Sequence, residues 1–383
     1  MISCSAGRRC IKAAALSALL VAGLASAQTF GVFPDRVVLY HVGPLSKSGL
    51  ADSNKEALAA AYLYFAKVNA RGGINGRKIV LETSDDNQDA KKSLEMTRAV
   101  IEKRGALAIF LLRTSPTIDA LMPLAGEAGI PVIAPQVGPD SVTEPMKRHV
   151  FAVRASYSAE VESIIKLQRS FGRTKFAVVA AKGPFGESVA RATQATLAAL
   201  SLKPADVVQV DDRDPVVDEA LKVFSAAKPD VVIMGCSSKC GASFVKGYNR
   251  SGNRAQYVAL SNSSNSAFVR DLGDQGRGVI VMQVVPAPWS SKYAVAREFK
   301  VAAEAAKMTV TYSGMQAWVS ARMVAEALQG AGANPTPASL TSALEAMQNY
   351  NLGDFIISYG PRQRAGSQFI EPTMIGGSGN FVY

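Results

Sequence analysis

Hydrophobic and polar residues follow two different periods along this chain. Short runs rich in valine, isoleucine and leucine, such as residues 37–42, have the length and composition of buried strands. Longer stretches such as residues 53–70 carry apolar side chains at three- and four-residue spacing, which predicts amphipathic helices. Because strands and helices alternate, we expect parallel sheets with helices on both faces, and hence an α/β fold.

The alternation restarts near the middle of the chain, which predicts two lobes of similar build. The predicted limits are 28–152 for the first part of lobe 1, 153–284 for lobe 2, 285–353 for the rest of lobe 1, and 354–383 for a tail that crosses back towards lobe 2. The predicted strands are 37–42, 78–83, 107–112, 131–134, 175–180, 206–210, 230–234, 256–260 and 278–284, and the predicted helices are 53–70, 89–104, 117–128, 159–171, 186–200, 216–227, 241–251, 293–307 and 312–330.

The first 27 residues, 1–27, have the features of a secretory signal peptide. Arg8, Arg9 and Lys12 form a positive segment, an apolar run follows, and Ala27 ends a small-residue cleavage pattern. The apolar run is shorter than the roughly 20 residues that a membrane-spanning helix needs, which disfavours the alternative of a membrane anchor. We therefore expect cleavage after Ala27 and export to the periplasm.

Charge and hydropathy bear on two further classes of protein, those that bind nucleic acids and those that span a membrane. Removal of the signal peptide takes three basic residues with it and lowers the formal net charge from +11 to +8. The remaining surplus is spread along the chain rather than gathered in basic runs with interleaved aromatic residues, so we expect no nucleic-acid binding. No later apolar run reaches transmembrane length, and we therefore expect a soluble product.

Residues suited to catalysis or cofactor binding are scarce. His41 and His149 are the only histidines, and neither has a metal-ligand spacing. The sequence contains neither a nucleophile elbow nor a phosphate-binding glycine loop. The acidic pairs at 85–86 and 211–212 are interpreted as solvated loop charges, because adjacent residues of a strand point to opposite faces. We therefore predict that the protein is not an enzyme and holds neither a cofactor nor a metal ion.

Cys236 and Cys240 are the cysteines that remain after cleavage. Helical i, i+4 spacing would bring their Cα atoms to roughly 6 Å, within the range that a disulfide requires, and an oxidising compartment would favour the bond. The three intervening residues need not be helical, however, and two free thiols in a loop are the alternative. The sequence leaves both interpretations open.

The segment Arg113-Thr114-Ser115-Pro116 is the most informative short stretch of the chain. It follows a predicted strand and opens a predicted helix, so it lies at the carboxyl edge of a parallel sheet, where α/β proteins bind ligands. Ser115 suits the N-cap and Pro116 the first helical position. The helix amides, the hydroxyls of Thr114 and Ser115, and the Arg113 guanidinium would together bind a carboxylate or another anion. The alternative is a well-capped helix without a ligand.

Two other strand ends carry weaker candidates. The loop at residues 182–186 would present Phe185 as an apolar lid over a ligand, or as an ordinary core residue. The run of small polar residues at 260–265 offers hydrogen-bonding groups, although such runs are also common in surface loops.

Four segments match a known family. They are residues 42–46 (VGPLS), 69–77 (NARGGINGR), 129–135 (GIPVIAP) and 185–187 (FGE). The chain resembles the leucine/isoleucine/valine-binding protein family, the type I periplasmic binding proteins of ABC transporters, over nearly its whole mature length. The resemblance implies two lobes joined by three crossings that close on a small-molecule ligand by hinge bending. It also implies a monomer that delivers its ligand to the membrane permease of an ABC transporter.

The resemblance implies a set of ligand-binding positions. In relatives that bind amino acids, two loops hold the ligand carboxylate; one matches Ser115 here, and the other matches Val137 and Gly138. An acidic residue at or next to Ser261 holds the ligand ammonium in those relatives. Here Gly138 lacks the usual hydroxyl and Ser261 carries no charge. Because a buried unpaired ammonium is costly, we expect an aliphatic or aromatic carboxylic acid rather than a standard α-amino acid. Further wall positions implied by the resemblance are Ser53, Phe185, Ser237 and Tyr312.

Two alternatives accompany this interpretation. A protein of the same fold can sense a ligand and signal to a membrane partner instead of delivering it for uptake, because fold does not dictate use. The chain can also be a binder of branched-chain amino acids, as the family resemblance suggests.

Overall fold

The computed structural model of the protein describes residues 30–46, 50–212, 215–360 and 362–382, and the predicted signal peptide lies outside this part of the chain. Among the described helices, none is long and apolar enough to cross a membrane. The strands are β1 (Arg36–Gly43), β2 (Lys78–Asp85), β3 (Ala108–Phe110), β4 (Val132–Ile133), β5 (Val150–Phe151), β6 (Phe176–Ala181), β7 (Asp206–Val210), β8 (Val231–Gly235), β9 (Gln256–Ala259), β10 (Ile280–Gln283), β11 (Tyr350–Asn351), β12 (Ile356–Ile357), β13 (Glu371–Ile375) and β14 (Phe381–Val382). The α-helices are α1 (Ala51–Asn69), α2 (Ala90–Glu102), α3 (Ser115–Glu127), α4 (Tyr157–Ser170), α5 (Pro184–Ala199), α6 (Asp218–Ala227), α7 (Ser238–Arg250), α8 (Ser266–Leu272), α9 (Ala294–Ala305), α10 (Tyr312–Gly330) and α11 (Pro337–Glu345).

Five parallel strands form the first sheet, in the order β2-β1-β3-β4-β5. Side chains of β1 alternate between the two faces of this sheet, as the twofold period of a strand requires. Val37 and Leu39 pack with α1, α9, α10 and α11, whereas Val38 and Tyr40 pack with α3 on the opposite side. Helices therefore cover both faces of a buried parallel sheet, as the hydrophobic pattern predicts.

Helix α10 is the most deeply buried helix of the first lobe, because its apolar and small residues leave few positions exposed. Its Trp318 is fully buried and packs edge-on against Tyr64 of α1, with ring centroids 4.9 Å apart. Phe299 of α9 meets the same indole at 5.6 Å. Large aromatic side chains bury much area in such contacts, so this cluster fixes α1, α9 and α10 to one another.

The second sheet has the strand order β14-β13-β10-β9-β8-β6-β7. Strands β6 to β10 run parallel to their neighbours, whereas β13 is antiparallel to β10 and β14 is antiparallel to β13. The register pairs Ile280 with Met374 and Gln283 with Glu371. The C-terminal tail therefore completes the second sheet.

The chain passes between the two lobes three times. It leaves the first sheet after β5, returns after β10 so that α9, α10 and α11 pack on the first lobe, and crosses again before β13. Two parallel-sheet lobes joined by three crossings confirm the predicted fold class. The residue limits given above for the lobes stay a prediction.

The hydrophobic pattern does not predict α8 or α11. Helix α8 has seven residues, which is too short for a helical period to show. Helix α11 depends on its N-terminal cap: the Thr336 hydroxyl accepts the Ser339 N–H at 3.0 Å, and the Ser339 hydroxyl accepts the Thr336 N–H at 2.9 Å. Short helices that are held by caps therefore escape an analysis based on apolar spacing.

Candidate functional site

A cavity of about 450 Å³ lies between the two lobes. Its wall is built largely from loops that follow β3 and β4 in the first lobe and β6, β7, β8 and β9 in the second. These loops lie at the carboxyl ends of parallel strands, where open α/β sheets bind their ligands. The volume is typical of sites for small molecules.

Eight of the ten predicted binding residues line this cavity, and Ser53 and Gly138 do not. The Ser53 hydroxyl lies behind the wall, where it accepts a hydrogen bond from Arg113 Nη2 at 2.9 Å. Gly138 faces protein, because a Cβ atom there would lie 3.0 Å from both Arg154 Nε and the Ala155 carbonyl oxygen. The eight lining residues are Arg113, Thr114, Ser115, Val137, Phe185, Ser237, Ser261 and Tyr312.

The N-terminus of α3 differs from the prediction by one residue. Thr114, not Ser115, is the N-cap: its backbone is extended and its hydroxyl accepts the Thr117 N–H at 3.3 Å. Ser115 is the first helical residue. Within the described part of the chain, its hydroxyl has no hydrogen-bonding partner, although the side chain is 4 % exposed. The shift therefore leaves the Ser115 hydroxyl available to a ligand in the cavity.

Arg113 places a positive charge in the buried wall of the first lobe. Its guanidinium donates to Gln136 Oε1 at 2.7 Å and to Ser53 Oγ at 2.9 Å, which are both neutral acceptors. Burial lowers the pKa of Arg113 to about 10, so the group is still charged at neutral pH. Among the ion pairs of the described residues, none includes Arg113. The charge of Glu56 favours the charged form of Arg113 from beyond ion-pair distance, so no carboxylate of the described residues pairs with this buried cation directly.

Gln136 adds to the surplus of donors beside Arg113. Its side chain is 2 % exposed and lines the cavity. While Gln136 Oε1 accepts from Arg113, the Nε2 atom is buried and has no partner in the described part of the protein. A buried donor without an acceptor costs free energy, and a ligand oxygen would remove that cost. The resemblance does not include this residue, and its position after β4 is the signal that would have identified it.

A carboxylate does lie beside Ser261, but it belongs to another element. Glu160 of α4 accepts the Ser261 N–H at 2.8 Å and the Ser261 hydroxyl at 2.9 Å, and it forms a fully buried ion pair with Arg154. Burial raises the pKa of the Glu160 carboxyl, while Arg154 and the two Ser261 donors favour its charged form. The protein's own guanidinium thus neutralises the acid at this position. Sequence reasoning missed Glu160 because 101 residues separate it from Ser261.

Aromatic and aliphatic side chains form one part of the wall, beside further polar residues such as Lys182, Asn262 and Gln283. Phe185, at the start of α5, packs on Tyr157 with ring centroids 4.8 Å apart, and both rings line the cavity. Val137 contributes from the first lobe, and Tyr312 also lines the cavity, with its ring centroid 5.3 Å from that of Trp289. The cavity therefore combines a donor-rich corner around Arg113 with an apolar part of the wall formed by Tyr157, Phe185 and Val137.

The interpretation of the acidic pairs as solvated loop charges is wrong in part. Asp86 is fully buried, where it accepts hydrogen bonds from the Ser93 hydroxyl at 2.6 Å and the Gln88 N–H at 2.7 Å. Asp211 and Asp212 line the cavity from the second lobe. The argument from alternating strand faces does not apply to these pairs. Asp86 follows the last residue of β2, and Asp211 and Asp212 both follow the end of β7.

The two cysteines are buried free thiols, so the disulfide alternative does not describe this structure. Cys236 directly follows β8 and Cys240 lies in the first turn of α7, with the N-cap Ser237 between them. Helical spacing therefore does not relate the two residues, and the geometric argument for a disulfide does not hold.

The two histidines have structural contacts away from the cavity. His41 Nε2 lies 3.1 Å from the Asn54 amide nitrogen, and burial lowers the pKa of His41 to about 4, so the ring is neutral. His149 Nε2 lies 3.0 Å from the Met122 carbonyl oxygen.

Comparison with known proteins gives the class of the molecule. The family described as periplasmic binding protein matches residues 41–375. The chain is 22% identical over 283 residues to a Leu/Ile/Val-binding protein homolog of Brucella melitensis, which covers 72% of this chain and 74% of that protein. A substrate-binding periplasmic protein from Ralstonia solanacearum superposes with a TM-score of 0.83 at 27% identity, over 90% of this chain and 99% of that one.

A fatty acid ABC transporter substrate-binding protein from Thermomonospora curvata has the same fold, with a TM-score of 0.84 at 17% identity, over 93% of this chain and 92% of that one. The chain therefore belongs to the periplasmic binding protein family, and within it to the type I proteins related to Leu/Ile/Val-binding proteins. Its relatives are solute-binding proteins, and the chain is a binding protein rather than an enzyme.

Proposed function

We propose that the protein binds a small carboxylic acid without an α-amino group and delivers it for uptake through an ABC transporter. The observation that carries this proposal is Arg113, a buried charged guanidinium that faces the cavity and has neutral hydrogen-bonding partners. Burying an unpaired charge costs several kcal/mol, so such a group favours an anionic ligand. The Ser115 hydroxyl and the Gln136 amide supply further donors beside it.

The second lobe supports the exclusion of a standard amino acid. In the position where the resemblance implies an acid for the ligand ammonium, Glu160 is paired with Arg154 and accepts two hydrogen bonds from Ser261. An ammonium at this point would meet a carboxylate whose charge is already balanced. An acid that lacks the amine would leave this network undisturbed.

The apolar wall favours an aliphatic or aromatic body for the ligand. Tyr157, Phe185 and Val137 offer surface on which a hydrocarbon chain or ring can be buried. The relative from Thermomonospora curvata is named for fatty acids, whereas the homolog from Brucella melitensis is named for leucine, isoleucine and valine. Branched-chain amino acids are therefore the second candidate, and Asp211 and Asp212 on the cavity wall favour that alternative.

We further propose that the two lobes close about the three crossings when the ligand binds, because only the closed state lets it touch both walls. Ser53 and Gly138 would then act behind the wall, and the other eight predicted residues would contact the ligand. Residues 1–27 would direct export to the periplasm, and the closed monomer would dock on a membrane permease. A sensory role with a membrane partner is the alternative that the fold equally allows.

Isothermal titration calorimetry against matched ligand pairs tests this proposal. Leucine and 4-methylpentanoate differ only in the α-amino group, as do phenylalanine and 3-phenylpropanoate. We expect the acids to bind at least about tenfold more tightly than their amino-acid counterparts, because an unpaired buried ammonium is penalised. Tighter binding of leucine than of 4-methylpentanoate would overturn the choice of ligand class.

A further inference from the structure

Three soft or anionic donor groups meet behind the second-lobe wall of the cavity. An Asp212 carboxylate oxygen and the sulfur atoms of Cys236 and Cys240 all lie within 4.8 Å of one another. Both thiols are fully buried, whereas Asp212 is half-buried and lines the cavity. In the described part of the chain, this is the one group of three or more such residues whose donor atoms come so close together.

Local structure holds these groups in place. Asp212 Oδ1 accepts the Ser237 N–H at 2.7 Å, which fixes the carboxylate next to the residue that separates the two cysteines. The Ser237 hydroxyl in turn accepts the Cys240 N–H at 3.3 Å, so the thiol of Cys240 is held in the first turn of α7. The donor set is therefore attached to the end of a buried strand and to a capped helix, rather than to a loose loop.

The chemistry of the donor atoms favours a thiophilic cation. A metal ion that coordinates a thiol also deprotonates it, so both cysteines can supply anionic sulfur ligands. Two sulfur donors and one carboxylate oxygen match Zn²⁺ and similar thiophilic ions better than Mg²⁺ or Ca²⁺, which prefer oxygen ligands alone.

We propose that Asp212, Cys236 and Cys240 form a binding site for a single thiophilic divalent metal ion of the Zn²⁺ class. Zinc–sulfur bonds of about 2.3 Å place ligand sulfurs about 4 Å apart in a tetrahedral site, so small rotations of these side chains suffice. Because Asp212 also lines the cavity, this site lies directly at the second-lobe wall.

Titration of the reduced protein with Co²⁺ tests this site, because thiolate ligation gives a charge-transfer band in the near ultraviolet. We expect one Co²⁺ per chain with that band, and displacement of the Co²⁺ by Zn²⁺. Cys236→Ser and Cys240→Ser should each remove or strongly weaken the band, and Asp212→Asn should lower the affinity at least about tenfold, the loss expected for one charged ligand. Asp211→Asn is the matched control, because it removes the adjacent carboxylate and should leave Co²⁺ binding unchanged.

A measurement on the unmodified chain covers the case in which a buried cysteine variant fails to fold. Saturating Zn²⁺ should protect both thiols of the native protein from oxidation by glutathione disulfide, as followed by mass spectrometry. Absence of the charge-transfer band, a band that survives Cys240→Ser in a folded variant, or oxidation to a 236–240 disulfide at an unchanged rate in Zn²⁺ would each overturn the proposal.

Discussion

Two buried guanidinium groups both donate to Gln136, but their other partners differ. Arg154 donates to the Gln136 carbonyl oxygen at 3.2 Å and forms an ion pair with Glu160. Arg113 donates to the Gln136 side-chain oxygen at 2.7 Å and has neutral partners. Arg154 is 1 % exposed and Arg113 is 7 % exposed and lines the cavity.

We propose that this difference separates a structural charge, Arg154, from a ligand-binding charge, Arg113. The Arg154 pair is complete within the protein, and it positions the Ser261 turn at the second-lobe wall. In the function proposed above, the Arg113 charge is available to an anionic ligand, which would offset the cost of burying the unpaired guanidinium. The account predicts that the two arginines respond in opposite ways when stability and ligand binding are measured.

The largest expected effect follows from breaking the Arg154 pair. Glu160→Ala leaves a buried guanidinium without its carboxylate and should lower the free energy of unfolding by about 3–5 kcal/mol. Urea denaturation followed by circular dichroism measures this loss. A variant within about 1 kcal/mol of the native protein would show that the pair is not the structural element described here.

The second effect concerns Arg113, where we expect ligand affinity to fall while stability is kept. Arg113→Met removes a buried charge that forms no direct ion pair with the described residues, so stability should stay within about 1 kcal/mol of the native value or increase. Affinity for the preferred carboxylate should fall by about ten- to a hundredfold, since hydrogen bonds to charged groups contribute about 1.5–3 kcal/mol. Calorimetry and urea denaturation on the same preparation separate the two quantities. Loss of stability with unchanged affinity would show that Arg113, like Arg154, stabilises the fold and does not bind the ligand.

A smaller effect is expected at the N-terminus of α3. Ser115→Ala should reduce affinity for the carboxylate about tenfold, the low end of what one hydrogen bond to a charged acceptor contributes. It should leave stability nearly unchanged, because Thr114 and not Ser115 caps the helix. Thr114→Ala is the matched comparison, and it should destabilise the protein by about 1 kcal/mol through loss of the cap. Equal destabilisation by both variants would place the cap at Ser115 after all.

The smallest expected effect tests whether the missing hydroxyl at Gly138 determines which ligand binds. Gly138→Ser restores a hydroxyl at a position where family members usually carry one, but a Cβ atom there would lie 3.0 Å from Arg154 Nε and the Ala155 carbonyl oxygen. We expect a loss of about 1 kcal/mol of stability from crowding and no gain in leucine affinity. Measurable leucine binding by this variant would show that the missing hydroxyl, rather than the balanced charge of Glu160, selects the ligand.

The fold could be predicted from the sequence to a large extent because it depends on long periodic segments. Helix α10 and strand β7 have the predicted limits, since their apolar patterns are continuous. The place of Arg113 on the cavity wall could also be predicted, because Arg113 precedes Ser115 by two residues in a segment that follows a strand and opens a helix. The Glu160–Ser261 contact and the gathering of Asp212 with the cysteines could not, because each joins residues from separate elements that only the packed lobes bring together.

A structure of the protein in complex with its tightest-binding carboxylate tests the central claim most directly. The account predicts that the ligand carboxylate accepts hydrogen bonds from Arg113 and from the Ser115 hydroxyl, with the Glu160–Arg154 pair unchanged. A ligand whose carboxylate lies against the second lobe, with no contact to the Arg113 guanidinium, would contradict it.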